Sequence, residues 1–340
     1  MSESDARSEP QASGVTTAAS MEGQTGGPNL LPAQARSQSS DADRRVARPA
    51  LNRKTPLERR GRPDWLKVRV RATPELEAVR RTVALQRLHT VCFSAACPNL
   101  NECWSRGTAT FMIGGSRCTR RCGFCDVTTG RPDALDPGEP ARVAEAVASL
   151  RLRFAVVTQV ARDDLADGGA AQMAASVRAI RARCPAVGVE VLIADYQGDE
   201  SALRTVLDAG PDVLNHNLET VERLQRKVRP AASYERSLFV LRRAGELRPD
   251  IPTKSGLILG MGEHEAEIEQ ALRDLRAAGV TRLTLGQYLR PSPDHLPLDR
   301  WVPPAEFDAW RKHALALGFA HVASGPLVRS SYHAESLAGS

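Results

Sequence analysis

Between residues 110 and 324 the chain alternates short apolar runs with longer amphipathic stretches, and this alternation restricts the fold to a parallel sheet wrapped by helices. The strand candidates are Thr110–Ile113, Phe154–Thr158, Val189–Ile193, Val213–Asn217, Thr253–Leu259, Arg282–Leu289 and His321–Ser324. Helical stretches lie between them at Val143–Leu150, Ala170–Arg183, Ser201–Ala209, Ser233–Arg243, Glu265–Ala278 and Pro304–Leu317. A further helix, Glu75–Leu88, precedes them and is opened by Thr73-Pro74. About six to seven strand–helix repeats are too many for a small open sheet and too few for a closed eightfold barrel. The expected fold is therefore α/β, a partial (β/α)6-type TIM barrel with N-terminal and C-terminal extensions; an open doubly wound sheet is the alternative.

Ahead of this body, residues 1–50 are rich in Ser, Gln, Gly, Ala and Pro and show no apolar period. They are too polar to offset the entropy of ordering and are expected to form a disordered tail. Pro63–Lys67 reads as an extended entry segment that lays Trp65 on the folded body. The expected organisation is a tail at 1–50, an extension at 51–108, a barrel at 109–325 and a C-terminal segment at 326–340. With 42% hydrophobic residues, 340 positions are enough to bury one large core. No run approaches the roughly 20 apolar residues of a membrane span. The first residues carry Glu3, Asp5 and Glu9 instead of a basic stretch followed by an apolar one, so the expected location is cytoplasmic. The net charge of +6 is mostly arginine, since the lysines are Lys54, Lys67, Lys227, Lys254 and Lys312. A positive balance favours acidic partners, protein or nucleic acid; an aromatic content of 4% and no RNA-recognition signature make nucleic acid the minor reading.

Six of the seven cysteines fall between Cys92 and Cys125. In a chain read as intracellular, such clustering signals metal binding more often than disulfides. Cys184 stands apart at a helix end and reads as structural. Cys118, Cys122 and Cys125 form a CxxxCxxC loop directly after a strand candidate and Gly114-Gly115. Three thiolates at that spacing can hold three irons of a 4Fe–4S cubane and leave the fourth without a protein ligand. A structural zinc site needs a closed set of four ligands, which neither triplet supplies alone. An iron with an open position can be chelated by the amino and carboxylate groups of S-adenosylmethionine. Cys92, Cys97 and Cys103 form the other triplet, CxxxxCxxxxxC, just ahead of this loop.

With Phe124 before its last cysteine, the CxxxCxxC loop resembles that of the radical S-adenosylmethionine enzymes. The first triplet, Trp104 and Ala109–Gly115 are similar to the lipoyl synthase family in particular. So are the blocks Val160–Leu165, Asp167–Gly169, Asn215–Thr220, Thr253–Leu257, Leu259–Glu263, Gln287–Ser292 and Arg329–Tyr332. The resemblance runs through most of residues 54–335 and leaves out the tail. It implies a radical-generating 4Fe–4S cluster on Cys118, Cys122 and Cys125. It also implies an auxiliary 4Fe–4S cluster on Cys92, Cys97 and Cys103, with Ser331 as fourth ligand. A serine alkoxide is a harder and weaker partner for iron than a thiolate, so that iron can leave first when the cluster is consumed. Without the resemblance, Arg329–Tyr332 would read as a cap on the end of the fold.

The implied reaction is insertion of sulfur at C6 and C8 of an octanoyl chain held in amide linkage on a lysine of a lipoyl-domain protein. The implied partners are octanoylated lipoyl-domain proteins, namely 2-oxoacid dehydrogenase E2 subunits and the glycine cleavage H protein. A flavodoxin or ferredoxin type reductant and an iron–sulfur carrier that rebuilds the auxiliary cluster complete the set. The chain is expected to act as a monomer. Two other readings compete. One is a different radical enzyme, such as a biotin-type sulfur inserter or an RNA methylthiotransferase, against which the first triplet and the RSSY block argue. The other is a zinc-stabilised binding protein.

In barrels of this kind the chemistry sits at the carboxyl ends of the strands. Arg162, Asp164, Gly168 and Gly169 follow one strand as ligand contacts or as a solvated charged turn. Asn215, Asn217 and Glu219 read as contacts to a ribose or an amino group, and His216, alternating to the other face, as structural. Lys254 opens an apolar strand and needs a partner, either the carboxylate of S-adenosylmethionine or a buried acid. Arg290 carries the same two readings.

Overall fold

The computed structural model describes residues 56–59, 61–67, 74–94, 97, 99, 102–103, 109–332 and 334–335. The polar tail expected from the sequence lies outside them. A single sheet organises these residues, with strands β1 (His89–Thr90), β2 (Thr110–Ile113), β3 (Phe154–Gln159), β4 (Gly188–Leu192), β5 (Val213–Asn215), β6 (Thr253–Leu259), β7 (Arg282–Gln287) and β8 (His321–Gly325). Helix α1 (Pro74–Leu85) precedes the sheet. The connections from β2 onward carry α2 (Glu139–Ser149), α3 (Ala170–Arg183), α4 (Glu200–Leu207), α5 (Tyr234–Leu247), α6 (Glu265–Ala277) and α7 (Pro304–Ala316).

Strand order decides between the two expected folds. A doubly wound sheet reverses its order at a switch point and so places helices on both faces. Here spatial order follows sequence order, with β1 antiparallel to β2 and all later pairs parallel. Every crossover advances in one direction, and because crossovers share one hand the helices fall on the same face. The other face lines the interior of an unclosed barrel whose ends are β1 and β8.

The central strands were readable because they are buried on both faces, which makes them near-continuous apolar runs. Phe154–Thr158 of β3 and all six residues of β7 are buried. Full burial of a Val, Leu or Phe contributes roughly 1.5–3 kcal/mol. Strand parity still sorts the faces. On β4, Val189 and Val191 pack into the helix-side core, and Glu190 between them turns into the barrel. Helices begin where side chains cap free amides. Asp199 accepts from the Ser201 N–H at the start of α4, and Ser233 from the Arg236 N–H at the start of α5.

Several boundaries differ from expectation for local reasons. Helix α2 starts at Glu139, four residues before Val143, with a proline in its first turn. Strand β5 ends at Asn215 and β7 at Gln287, each two residues early, because the following residues leave the ladder to form the barrel mouth. Strand β1, at two residues, is too short to show a period. In the entry segment Leu66, 1% exposed, is the anchor; Trp65 remains 44% exposed.

Candidate active site at the carboxyl ends of the strands

The carboxyl ends of the parallel strands surround a cavity of about 420 Å³. Cys118, Cys122 and Cys125 line it, with Asn217 and Glu219 after β5 and Arg290 after β7. Glu219 adopts φ 68°, a conformation that strains a non-glycine residue by about 1 kcal/mol or more. It is held there by two backbone bonds to β6: its N–H donates to the Gly256 carbonyl and its own carbonyl accepts from the Ile258 N–H. The result aims the Glu219 carboxylate across the mouth, where Asn217 Nδ2 donates to it at 3.1 Å. Burial raises the Glu219 carboxyl, opposed by the nearby Arg229 guanidinium and the Asn217 bond.

The cysteine loop is pinned along its length. Cys118 Sγ accepts from the N–H groups of Arg120 at 3.4 Å and Ala161 at 3.3 Å, and Thr119 N donates to the Ala161 carbonyl. Arg120, between the first two cysteines, makes a two-bond fork to Asp163 at 2.8 and 2.7 Å and reaches Asp195 at 2.6 Å. Arg236 of α5 completes the chain with a 2.7 Å bond to the other Asp195 oxygen. Burial alone would raise the Asp195 carboxyl, but the two guanidinium groups hold it well below the usual carboxylate range. Farther along, Gly123 N donates to the Val228 carbonyl and the Gly123 carbonyl accepts from the Leu296 N–H.

These residues fit an iron–sulfur cage. Burial pushes the Cys122 thiol up to about 11 and the Cys125 thiol up to about 12, so both stay protonated until a cation compensates the thiolate. Among the described residues no three His, Cys, Asp or Glu side chains converge as ligands of one metal ion. A cubane asks for something else, since each thiolate holds its own iron around a cage. Unpaired polar atoms point to a second ligand. Asn217 Oδ1 and His216 Nε2 are buried without a hydrogen-bond partner among the described residues, and both residues line the cavity. His216 Nδ1 lies 3.0 Å from the Ile193 carbonyl, which accepts, so Nε2 is left as an acceptor. Burial, reinforced by Arg229, pushes the imidazole down to about 4 and keeps it neutral.

The first triplet meets the C-terminal segment beside this cavity. Cys92 is buried, Cys97 and Cys103 are half-buried, and none of the three forms a disulfide among the described residues. Asn99 Nδ2 donates to the Leu327 carbonyl at 2.5 Å, and Tyr332 Oη donates to the Glu102 carboxylate at 3.1 Å. Burial raises the Cys97 thiol, the neighbouring Cys92 adds to this, and Arg329 opposes it. Val328, Arg329 and Ser330 line the cavity, and Ser331 sits half-buried in the turn that follows.

The remaining sequence candidates are placed elsewhere. Lys254 lies in the barrel interior, with Nζ 2.9 Å from each oxygen of Glu190 and neither side chain exposed. Asn215 Nδ2 donates to the same carboxylate at 2.8 Å. The structure therefore puts Lys254 in a buried salt bridge and Asn215 beside it, both away from the mouth. Arg162 forks onto Asp164 and donates to the Gly114 carbonyl, bracing the backbone behind the cysteine loop. Gly168 faces a separate cleft beside Asp163 and Tyr196, and Gly169 caps α3 at φ 87°. Among the polar lining residues, Arg120 and Arg229 had not been singled out, nor had His216 as a ligand contact. Arginine scarcely stands out in this composition, and His216 was assigned to the far face on the assumption that β5 continues past Asn215.

Residues 112–275 match the family described as the Radical SAM superfamily. Lipoyl synthase of Rubrobacter xylanophilus is 56% identical over 276 residues, covering 81% of this chain and 86% of that protein. Lipoyl synthase of Acidithiobacillus ferrooxidans is 51% identical over 303 residues, covering 89% and 96%. Among solved structures, methylornithine synthase overlays with a TM-score of 0.49 at 12% identity, over 74% of this chain and 79% of that one. With more than half of the aligned positions identical over 81–89% of its length, this chain belongs to the lipoyl synthase family of radical SAM enzymes.

Proposed function

We propose that this enzyme inserts two sulfur atoms, at C6 and C8 of an octanoyl group carried on a lysine of a lipoyl-domain protein, to form the lipoyl group. S-adenosylmethionine and two 4Fe–4S clusters are its cofactors. The observation that carries this reading is convergence. Cys118, Cys122 and Cys125 line the cavity, and so do residues 328–330, whose neighbours Leu327 and Tyr332 bond to the segment of the first triplet. A radical source and a sulfur source can thus serve one substrate chain.

We assign Cys118, Cys122 and Cys125 to the radical-generating cluster, and Cys92, Cys97, Cys103 and Ser331 to the cluster that donates sulfur. What the first cluster and S-adenosylmethionine supply is a hydrogen-abstracting radical, which an unactivated C–H bond requires because it offers neither an acidic proton nor a leaving group. The chain's own residues bind and orient. Asn217 and Glu219 present an amide and a carboxylate to the polar end of the cofactor, His216 Nε2 accepts from one of its donors, and Arg290 closes the rim. Leu192, Ile193, Leu257 and Leu289 give the cavity an apolar wall that suits an eight-carbon chain and excludes water.

Residues 51–108 and 326–340 serve as the extensions that carry the second cluster, and 109–325 as the barrel. The net charge of +6 suits acidic lipoyl domains, such as those of E2 subunits and the glycine cleavage H protein, and a flavodoxin or ferredoxin type reductant. An iron–sulfur carrier rebuilds the consumed cluster. Among the described residues no helix is long and apolar enough to cross a membrane; a monomeric, cytoplasmic enzyme is part of the proposal. The test is mass spectrometry of an octanoylated lipoyl-domain peptide incubated anaerobically with the reconstituted protein, S-adenosylmethionine and dithionite. A mass gain from two sulfurs is expected; an unchanged peptide would refute the assignment.

A further inference from the structure

The block Gln287–Ser292 runs from the last residue of β7 into the loop that follows and serves the proposed chemistry through Leu289 and Arg290; the next residues of that loop reach the last cysteine of the second triplet. His295 Nε2 lies 3.0 Å from the Cys125 carbonyl, and His295 Nδ1 lies 2.9 Å from Ser292 Oγ. A carbonyl oxygen can only accept, so Nε2 carries the proton and donates. Nδ1 is then the acceptor, and the Ser292 hydroxyl donates to it. Ser292 Oγ in turn accepts from the Asp294 N–H at 3.2 Å. The Cys125 carbonyl is the hydrogen-bond acceptor of Nε2, with Asp126 Oδ1 farther off at 3.6 Å, and the two ring contacts together fix the tautomer and the ring plane.

The neighbouring residue repeats the grip. Leu296 N donates to the Gly123 carbonyl at 2.9 Å, and a Cβ on Gly123 would lie 2.6 Å from the Leu296 side chain. Tyr288 Oη, at 2% residue exposure, donates to the Leu296 carbonyl at 2.7 Å and ties the loop back to the end of β7. Cys118 is anchored by Ala161, just past β3, and Gly123 by Val228, whereas Cys125 bonds within its own loop to Cys122 and outward to His295. Cys125 is the thiol whose placement rests on a side chain from another crossover.

We propose that His295 is a positioning residue of the radical centre: its Nε2–H, oriented by Ser292, holds the Cys125 carbonyl and thereby sets where the third thiolate meets the cluster and where the bound S-adenosylmethionine lies. This rests on the assignment of Cys125 as a cluster ligand. A ring that only filled space would be replaceable by any side chain of similar size. A donor at the ε position is partly replaced by glutamine, whose amide N–H reaches about as far, and not by phenylalanine.

The experiment compares His295→Gln, His295→Phe and Ser292→Ala with the parent, all anaerobically reconstituted. Each is read by iron and sulfide content, by the electron paramagnetic resonance signal of the reduced radical-site cluster with and without S-adenosylmethionine, and by KM for S-adenosylmethionine. Losing one hydrogen bond to a cluster-bearing loop predicts a KM about tenfold higher and a broadened cofactor-induced signal in His295→Phe. His295→Gln is expected to recover most of both, and Ser292→Ala to fall between them. Parental KM and signal in His295→Phe would overturn the proposal, as would a Gln variant no better than Phe. Should His295→Phe lose its cluster, Ser292→Ala, which keeps the ring and frees its orientation, decides: a parental signal and KM there would sink the idea. Cys125→Ala tests the underlying assignment separately, because iron retained at the parental level would remove Cys125 as a ligand without bearing on the His295 bond.

Discussion

Lys254 and Glu190 face each other across the barrel interior, 64 positions apart in sequence and both completely buried. Burial lowers the Lys254 ammonium while Glu190 opposes that shift, and the carboxylate also holds Asn215. The pair's two buried charges are tolerable only together. Lys254→Met should therefore destabilise the fold by about 3–5 kcal/mol, since it strands a buried carboxylate. Lys254→Met with Glu190→Leu should recover more than half of that loss. Urea midpoints of the parent, the single and the double variant check this. A double variant no more stable than the single one would show that the charges do not depend on each other. Sequence alone could say that Lys254 needed an acid but not which one, because nothing local marks Glu190 as its partner. The cysteine triplets stand out in the sequence for the opposite reason: the ligands proposed for each cluster are spaced along a single short segment. Ser331 was visible only through the family resemblance, since a serine in a turn has no ligand signature of its own.

At the scale of elements, the C-terminal segment is the part on which the two halves of the site depend. It crosses β7 at Gly286, where an added Cβ would lie 2.1 Å from the Val328 carbonyl oxygen. Backbone cannot yield as a flexible side chain would, so Gly286→Ala should lift residues 328–332 from the sheet. Sulfur insertion is expected to fall on the order of 100-fold, as for misplacement of a reacting group by about 1 Å. Cleavage of S-adenosylmethionine by the other cluster should persist. Chromatographic measurement of 5′-deoxyadenosine beside lipoylated peptide separates the two, and a parallel loss of both products would show that the segment does not act on the first triplet alone. Strands were legible as apolar runs, but their ends were not. Residues 216–219 and 288–290 continue the apolar and polar pattern of β5 and β7 while their backbones leave the ladder. That departure carries His216 into the cavity lining, against the parity expected of a longer strand.

For the whole molecule, strand order in space equal to strand order in sequence yields one open mouth; the first cysteine triplet lies between β1 and β2, and the second, which lines the mouth, follows β2. The alternation of apolar and amphipathic stretches foretold a sheet with crossovers. The monotonic order that separates a partial barrel from a doubly wound sheet is a long-range property that no local pattern encodes. The central claim is a division of labour between the triplets around a shared cavity. Its most direct measurement takes the triple variant Cys92→Ala, Cys97→Ala and Cys103→Ala, reconstituted beside the parent, and reads iron, 5′-deoxyadenosine and sulfur in an octanoylated peptide together. About half of the parental iron, continued formation of 5′-deoxyadenosine and a peptide with no added sulfur are the predicted results; a peptide that still gains sulfur, or a protein that keeps all of its iron, would contradict the account.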